Sequence, residues 1–452
     1  MLLPRGRSAR LRDLPRIVTG VTRPNAGPDP GTLTLAWAAI AFGISRQHGD
    51  YSPSALGLIV AGWLLAYLGI AARVRVPTTL AFAAAALVVA DAALQAGPAN
   101  HGHGVWYALS RICAYPAAAA TLLALRWRRA FGIALGLLML TGLLRILATP
   151  TPPIDVHFLL TDSTRGLIHG LDMYRQSWPG SDGLQNEYPY LPWTSVLLLP
   201  AWLVTHEVRV GLLAAIAVAA IALHRLAGPG PARWSAFAPL MVASYPLFAY
   251  QIQQSWTEPL LIALLALLVL ATERGRTGWA IVALALALAT KQHIVLLLPL
   301  AALWPAFGWR RTAIATGLGF GLVLPWLIAG PRDFWDDAVL LNVHYPVLQR
   351  ALDVPALADR HGLTLGFGVT VAVVLVGYAL AVFRLPRDAA GFAAGGGLVQ
   401  LGLDVFNKQS FFNHYTLVMG LFAIALVATR LPGRSVAAGK AGERGALEDA
   451  AV

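Results

Sequence analysis

Charge is scarce in this sequence. Of its 452 residues only 12% are Asp, Glu, Lys or Arg, while 57% are hydrophobic. A soluble domain carries roughly 25% charged residues, so this chain has too little polar surface to cover a water-soluble globule. Cysteine is almost absent. Cys113 stands alone in an apolar run, so no intrachain disulfide can form and the fold does not depend on oxidation. No His/Cys cluster has zinc-ligand spacing. The short alternating strands of a membrane β-barrel are missing too. In their place stand continuous apolar runs such as Leu260–Ala271, Ile281–Thr290 and Leu417–Thr429. No apolar core directly follows the basic N-terminal stretch, so no cleavable signal peptide is expected and the first span should serve as an uncleaved signal anchor.

A hydrocarbon core of ~30 Å takes about 20 mostly apolar residues per helix. Candidate spans fall near 32–46, 54–72, 78–96, 105–126, 130–149, 191–205, 208–225, 234–250, 256–272, 278–290, 292–307, 312–330, 363–383, 389–404 and 414–430. The expected fold is an all-α polytopic membrane protein with about 13–15 transmembrane helices. It divides into a basic cytoplasmic tail at 1–30, helices over 31–149, an outside loop at 150–190, a transmembrane core at 191–432 with a second outside loop at 331–362, and a cytoplasmic tail at 433–452.

The net charge of +12 follows topology rather than a nucleic-acid footprint. Six arginines lie within the first 23 residues, and others sit in short connectors at Arg73 and Arg75, Arg126 to Arg129, Arg274 and Arg276, Arg310 and Arg311, Arg384 and Arg387, and Arg430 and Arg434. That is the positive-inside pattern, and no nucleic-acid partner is expected. Counting spans from both ends leaves three segments between outside positions 150–190 and 251–257, where an even number is required. The segment 191–205, the shortest and carrying Pro192 and Pro200, is the first suspect for a half-span. The two long outside loops hold 10 of the chain's 22 acids, and long ordered loops are usually functional.

The first of these loops opens with Pro152-Pro153-Ile154-Asp155-Val156-His157-Phe158, and residues 154–169 read as a short amphipathic helix on the membrane plane. Asp155, Asp162 and His169, seven apart, would share one of its faces. Asp155 is then either a general base at the lipid–water boundary or simply a helix-start charge favoured by the dipole.

Asp155, then Gly170 and Asp172-Met173-Tyr174, then Glu187-Tyr188-Pro189-Tyr190-Leu191-Pro192 together resemble the signature of the GT-C membrane glycosyltransferases. Met173 replaces a common proline, and Tyr190 replaces the second proline of the later element. The mannosyltransferase-like branch is the nearest in pattern. Its usual Gln turn resembles Gln251 to Glu258, its lysine resembles Thr290-Lys291-Gln292-His293, and its late aromatic motif resembles Asn407 to Tyr415. The resemblance spans about 155–420 and implies a polyprenyl-phosphate sugar donor, a glycan or lipid acceptor, and Asp155 as general base, in a multi-pass protein of the plasma membrane with its site on the extracytoplasmic face. It also nominates Asp162, His169, Tyr174, Tyr188, Gln254, Glu258, Lys291, His293, Arg332, His344, Lys408, His414 and Tyr415 as substrate-binding residues.

Lysine is as scarce as cysteine is rare: three against 31 arginines, and two of the three, Lys291 and Lys408, each precede a glutamine at an outside span end. A compact ammonium suits a phosphate, so Lys291 and Lys408, helped by Arg332, His344 or His414, are candidates to hold the donor phosphate. Snorkelling at the interface accounts for them equally. Asp91, Arg111 and Arg145 lie inside spans, and an Asp91–Arg111 pair is the expected solution to their cost. Trp178 and Trp335 belong either to an aromatic belt or to sugar stacking. No cofactor is expected; Asp336-Asp337 is the one place a divalent ion could sit. Two other function classes remain open: a secondary transporter or lipid-linked sugar flippase, and a non-catalytic membrane scaffold.

Overall fold

The computed structural model describes residues 27–46, 50–95, 104–181, 183–228 and 234–429. Most of the two tails, Asp182, Arg430 and Arg434 therefore lie outside the described residues. The chain is all-helical, 76% helix with no strand among the described residues. The helices are, in order, α1 Pro30–Ser45, α2 Pro53–Ala71, α3 Thr78–Leu94, α4 Gly104–Ala124, α5 Ala130–Ala148, α6 Asp155–Leu167, α7 Trp193–Thr205, α8 Val208–Leu226, α9 Trp234–Phe237, α10 Phe248–Gln253, α11 Glu258–Glu273, α12 Thr277–Thr290, α13 Leu298–Leu303, α14 Gly308–Ala329, α15 Pro331–Trp335, α16 Leu341–His344, α17 Val354–Arg360, α18 Phe367–Arg384, α19 Ala389–Phe406 and α20 Phe412–Ala428.

Six of them, α2, α5, α8, α14, α18 and α19, are long and apolar enough to cross a membrane by length and composition. Large apolar side chains stand exposed along them, among them Leu68, Ile133, Phe320 and Leu375. Together these features make the chain a polytopic all-α membrane protein. Local chemistry sets the helix starts. Ser52 caps α2 and is followed by Pro53 in the first turn, while Asp29 caps α1 and its Oδ2 also accepts from the Val76 amide. Residues 29 and 30, expected within the N-terminal tail, thus belong to the helical bundle.

Side chains join helix ends at two poles. At one, the arginine pole, Arg128 donates to the Gly228 carbonyl, Arg274 Nη2 donates to the Arg225 carbonyl at 3.2 Å, and His224 stacks on Phe131. At the other, Arg209 Nη1 reaches the Thr149 carbonyl at 2.7 Å, and its Nη2 reaches the Pro150 carbonyl at 3.1 Å. The same guanidinium donates to the Gln253 carbonyl at 3.3 Å and pairs with Glu207. The end of α5, the start of α8 and the end of α10 therefore meet.

This arrangement explains the parity problem. The start of α7 is tied to the end of α12 by Thr194 Oγ1 donating to the Thr290 carbonyl, 2.8 Å, and its far end turns at His206 and Glu207 into Arg209. Lys291 at the end of α12 meets Glu258 at the start of α11, so both ends of α7 lie at the same pole. The 191–205 segment does not run from one pole to the other. Two expected spans are also interrupted. Residues 234–253 consist of α9, a 3₁₀ turn over Ala238–Val242 and α10, with Leu247 in a left-handed conformation between them. Residues 292–303 begin as a 3₁₀ turn over Gln292–Leu297 before α13.

The two long acidic loops dock on each other at the second pole. Arg175 pairs with Asp333 at 2.7 Å, the Tyr188 amide donates to Asp337 Oδ2 at 2.8 Å, and Gln292 donates to both Pro189 and Ala338 carbonyls. Beneath them Leu159, Met173, Tyr174, Trp178, Tyr188 and Phe334 form a small core of their own. Trp178 is fully buried there and donates to the Glu187 carbonyl, so its ring is closed to a sugar.

Candidate functional site

Asp155 opens α6 because Pro152, Pro153 and an extended Ile154 bring the chain to a helix start there. Its Oδ1 accepts from the Val156 amide at 2.8 Å and its Oδ2 from the Leu184 amide at 3.4 Å, so half-buried Asp155 sits under the 183–184 turn. A side chain at Gly183 would run into the carboxylate. Its charge reaches two phenols, those of Tyr190 and Tyr345. Burial first, then the carboxylates of Asp155 and Glu258, push the Tyr190 phenol well above its ordinary value.

Next to Tyr190 lies a buried ion pair. Lys291 Nζ sits 5.7 Å from the Tyr190 ring centre and donates to Glu258 Oε1 at 2.6 Å. Lys291 is extended because α12 stops at Thr290 and the 3₁₀ turn begins at Gln292. Asn413 also donates to Glu258 Oε1, at 3.0 Å. Buried and without a hydrogen-bond partner among the described residues are Glu258 Oε2, Thr257 Oγ1, Gln254 Nε2 and His293 Nε2. Such unpaired buried atoms are rare in folded proteins and mark places where a structure holds something in reserve. His414 acts on both Glu258 and His293 and stands 3.8 Å from Asp404. Two motif turns beside this cluster carry non-glycine residues in the left-handed region, Ser255 at φ 62° and Gln409 at φ 72°.

Of the nominated residues, Asp155, Glu258 and Lys291 therefore all act on Tyr190, with Gln254, His293 and His414 beside the ion pair. Others serve the scaffold. Tyr174 donates to the Tyr190 carbonyl at 2.8 Å, Tyr188 shares a 2.6 Å hydrogen bond with Ser195, and Tyr415 donates to the Leu352 carbonyl at 2.6 Å. Lys408 donates to the Val343 carbonyl at 2.7 Å, next to His344 at the end of α16, and makes no bond to the Lys291 cluster. Arg332 is an exposed partner of Asp336 at 3.6 Å. Asp162 pairs with Arg165 at 2.9 Å.

Two expectations need correction. The helix ends at Leu167, and Ile168 to Gly170 form a turn, so exposed His169 does not share a helical face with Asp155 and Asp162. No ion pair joins Asp91 to Arg111 among the described residues; Asp91 instead accepts from Gln95, one turn along its own helix. Asp336 and Asp337 also diverge. Asp336 turns to Arg332, while Asp337 accepts the Tyr188 amide and burial pushes its carboxyl up to about 6. Among the described residues no group of three His, Cys, Asp or Glu side chains is arranged to hold a metal ion.

Sequence reading missed His157. It is buried, shares a 3.1 Å hydrogen bond with Ser255, and is held at about 4 by burial and by Arg209, against the opposing charge of Glu207. Its position two residues after Asp155 was the available signal. The neutral ring ties α6 to the Gln-rich turn. The chain matches no family model, no curated protein and no solved structure.

Proposed function

We propose that this protein is a GT-C-like membrane glycosyltransferase. It moves a sugar, with mannose the first candidate, from a polyprenyl-phosphate donor to a glycan or lipid acceptor. The observation that carries the reading is a carboxylate and an ammonium that share one tyrosine: the Asp155 charge acts on the Tyr190 phenol, and Lys291 Nζ lies 5.7 Å from its ring centre. Asp155 takes the proton from the acceptor hydroxyl as its oxygen attacks the anomeric carbon. The bond from that carbon to the donor phosphate breaks, and the electron pair leaves on the phosphate. Lys291, with His414 nearby, stabilises the departing charge in a site sheltered from water. Glu258, itself held by Asn413, keeps the ammonium in place until the donor arrives, and the second Glu258 oxygen, Gln254 and His293 supply hydrogen bonds to sugar hydroxyls.

The arginine pole is cytoplasmic in this reading, following the positive-inside rule. Treating α7 as a re-entrant segment and 234–253 and 292–303 as broken crossings gives an even number of passes. Both tails are then cytoplasmic and Asp155 lies on the extracytoplasmic face of the plasma membrane.

A second reading is favoured by a specific feature. Two interrupted segments, 234–253 and 292–303, flank the buried Glu258–Lys291 pair, and broken helices around a buried charge are the hallmark of transporters and flippases. Purified protein in proteoliposomes separates the two. The enzyme reading predicts sugar transfer from polyprenyl-phosphate sugars to membrane acceptors by wild type and none by Asp155→Asn of unchanged melting temperature. Donor translocation without any transfer supports the transporter instead, and equal transfer by both proteins removes Asp155 from the mechanism.

A further inference from the structure

The Asp155 and Glu258 sites leave one buried charge unexplained. Arg145, in the last turn of α5, is completely buried, and among the described residues no acceptor meets its Nε, Nη1 or Nη2 in full hydrogen-bond geometry, the Tyr107 phenol alone lying close enough to interact in that way. Its guanidinium carbon stands 4.4 Å from the ring centre of Tyr107. The ionisable groups that act on it are Tyr107, Arg111 and Tyr250, none of them a carboxylate. Among the described residues the other permanent charge that acts on it is thus a second arginine, the exposed Arg111. A buried ion without a counter-ion is costly, and the repulsion of a second arginine adds to that cost.

A groove lies on the same faces. It runs between α3, α4, α5 and the broken segment at 243–249. Thr141 and Leu138, which line it, precede Arg145 by four and seven residues and share its helical face; Ala114 and Ala118 follow Arg111 by three and seven. Because α4 and α5 are antiparallel, both arginines lie beyond the same end of the groove. The rest of the lining is apolar, apart from Thr121, Tyr245 and Ser244, the last with a buried hydroxyl that has no partner among the described residues.

We infer that Arg145, with Arg111, is the headgroup end of a binding site for a lipid-borne phosphate whose aliphatic chain lies in this groove. A guanidinium fork offers parallel donors to phosphate oxygens, and a phosphate supplies the missing counter-charge. An apolar groove leading away from that charge takes an aliphatic chain, so an amphiphile satisfies both ends and a free anion only one. The site is built by helices that precede Asp155 and does not depend on the glycosyltransferase reading. Either a membrane phospholipid or a polyprenyl phosphate has the required chemistry.

The test is titration of delipidated, detergent-purified full chain with phosphatidylglycerol, polyprenyl phosphate, diacylglycerol and inorganic phosphate. Affinity is read as the difference between wild type and Arg145 variants. At least one of the two phosphate lipids is expected to bind, roughly tenfold more weakly in Arg145→Met and severalfold more weakly in Arg111→Gln. Which lipid binds identifies the source, and either outcome supports the site. Without lipid, Arg145→Met should melt no lower than wild type, because an unpaired buried charge is gone. If that variant fails to fold, Arg145→Lys, which keeps the charge and loses the fork, must still weaken binding. Unchanged affinity for both phosphate lipids in the Arg145 variants overturns the inference. So does inorganic phosphate or diacylglycerol binding as tightly as the phosphate lipids.

Discussion

Lys291→Met removes the cation hydrogen-bonded to a carboxylate that is 1% exposed, and the Glu258 side chain then keeps Asn413 as its side-chain donor among the described residues. Breaking a buried pair by deleting one partner costs about 3–5 kcal/mol, because the surviving charge stays buried. The retained Asn413 bond puts the expected loss near the lower end, about 3 kcal/mol. Glu258→Gln strands the ammonium instead and should cost about the same. In the double variant the glutamine oxygen still accepts from Asn413 and no charge remains. Its cost should be close to that of one single variant, giving a coupling of about 3 kcal/mol. Reversible unfolding in mixed micelles, followed by fluorescence of the chain's 14 tryptophans, measures all four proteins. If the single losses simply add to within about 0.5 kcal/mol, the two side chains are not a pair and the site geometry argued from them fails.

Gly183→Ala presses a methyl group against the Asp155 carboxylate. Transfer activity should fall about 10²-fold, the scale of a misplacement of about 1 Å, with little change in melting temperature; unchanged activity would mean the 183–184 turn does not position Asp155. Arg209→Met strips three carbonyls and Glu207 of their donor. A loss of about 3–5 kcal/mol in unfolding is expected, partly recovered by adding Glu207→Gln. The Asp353 carboxyl is pushed up to about 7, because burial outweighs its two backbone donors, the amides of Ala356 and Ser410. Its folded value lies above the unfolded one. Its contribution is therefore complete below the ordinary aspartate pKa of about 4 and is lost as pH rises through about 7. Melting temperature should decline over that window, and Asp353→Asn should flatten the decline.

Continuous spans were legible because length and hydropathy decide them: α2 at Pro53–Ala71, α5 at Ala130–Ala148 and α8 at Val208–Leu226 agree with expectation to within a residue or two at each end. Composition says nothing about continuity, so the breaks at 238–247 and 292–297 escaped, although Pro239 and Pro246 lie in the first of them. The parity of crossings did point to 191–205 as the odd segment. At the site, Glu258 and Lys291 each drew notice as an isolated polar residue at a span end. Their pairing across 33 residues depends on how α11 and α12 pack, which no local pattern encodes. The tyrosines of the loop motifs looked like ligand contacts, yet Tyr174 and Tyr188 spend their hydroxyls on the scaffold. A motif residue and a buried structural residue leave the same trace in one sequence. Arg145 stood out as an intramembrane charge, but its lack of a counter-ion emerges only when its neighbours are known.

Donor binding and sugar transfer, measured on the same preparations of wild type, Asp155→Asn and Lys291→Met, test the central claim most directly. A general base and a phosphate-holding cation beside the same tyrosine predict a clean division. Asp155→Asn should bind polyprenyl-phosphate sugar as wild type does and transfer none of it, while Lys291→Met should bind it at least tenfold more weakly. Transfer that persists in Asp155→Asn, or donor affinity that is unmoved in Lys291→Met, contradicts the account.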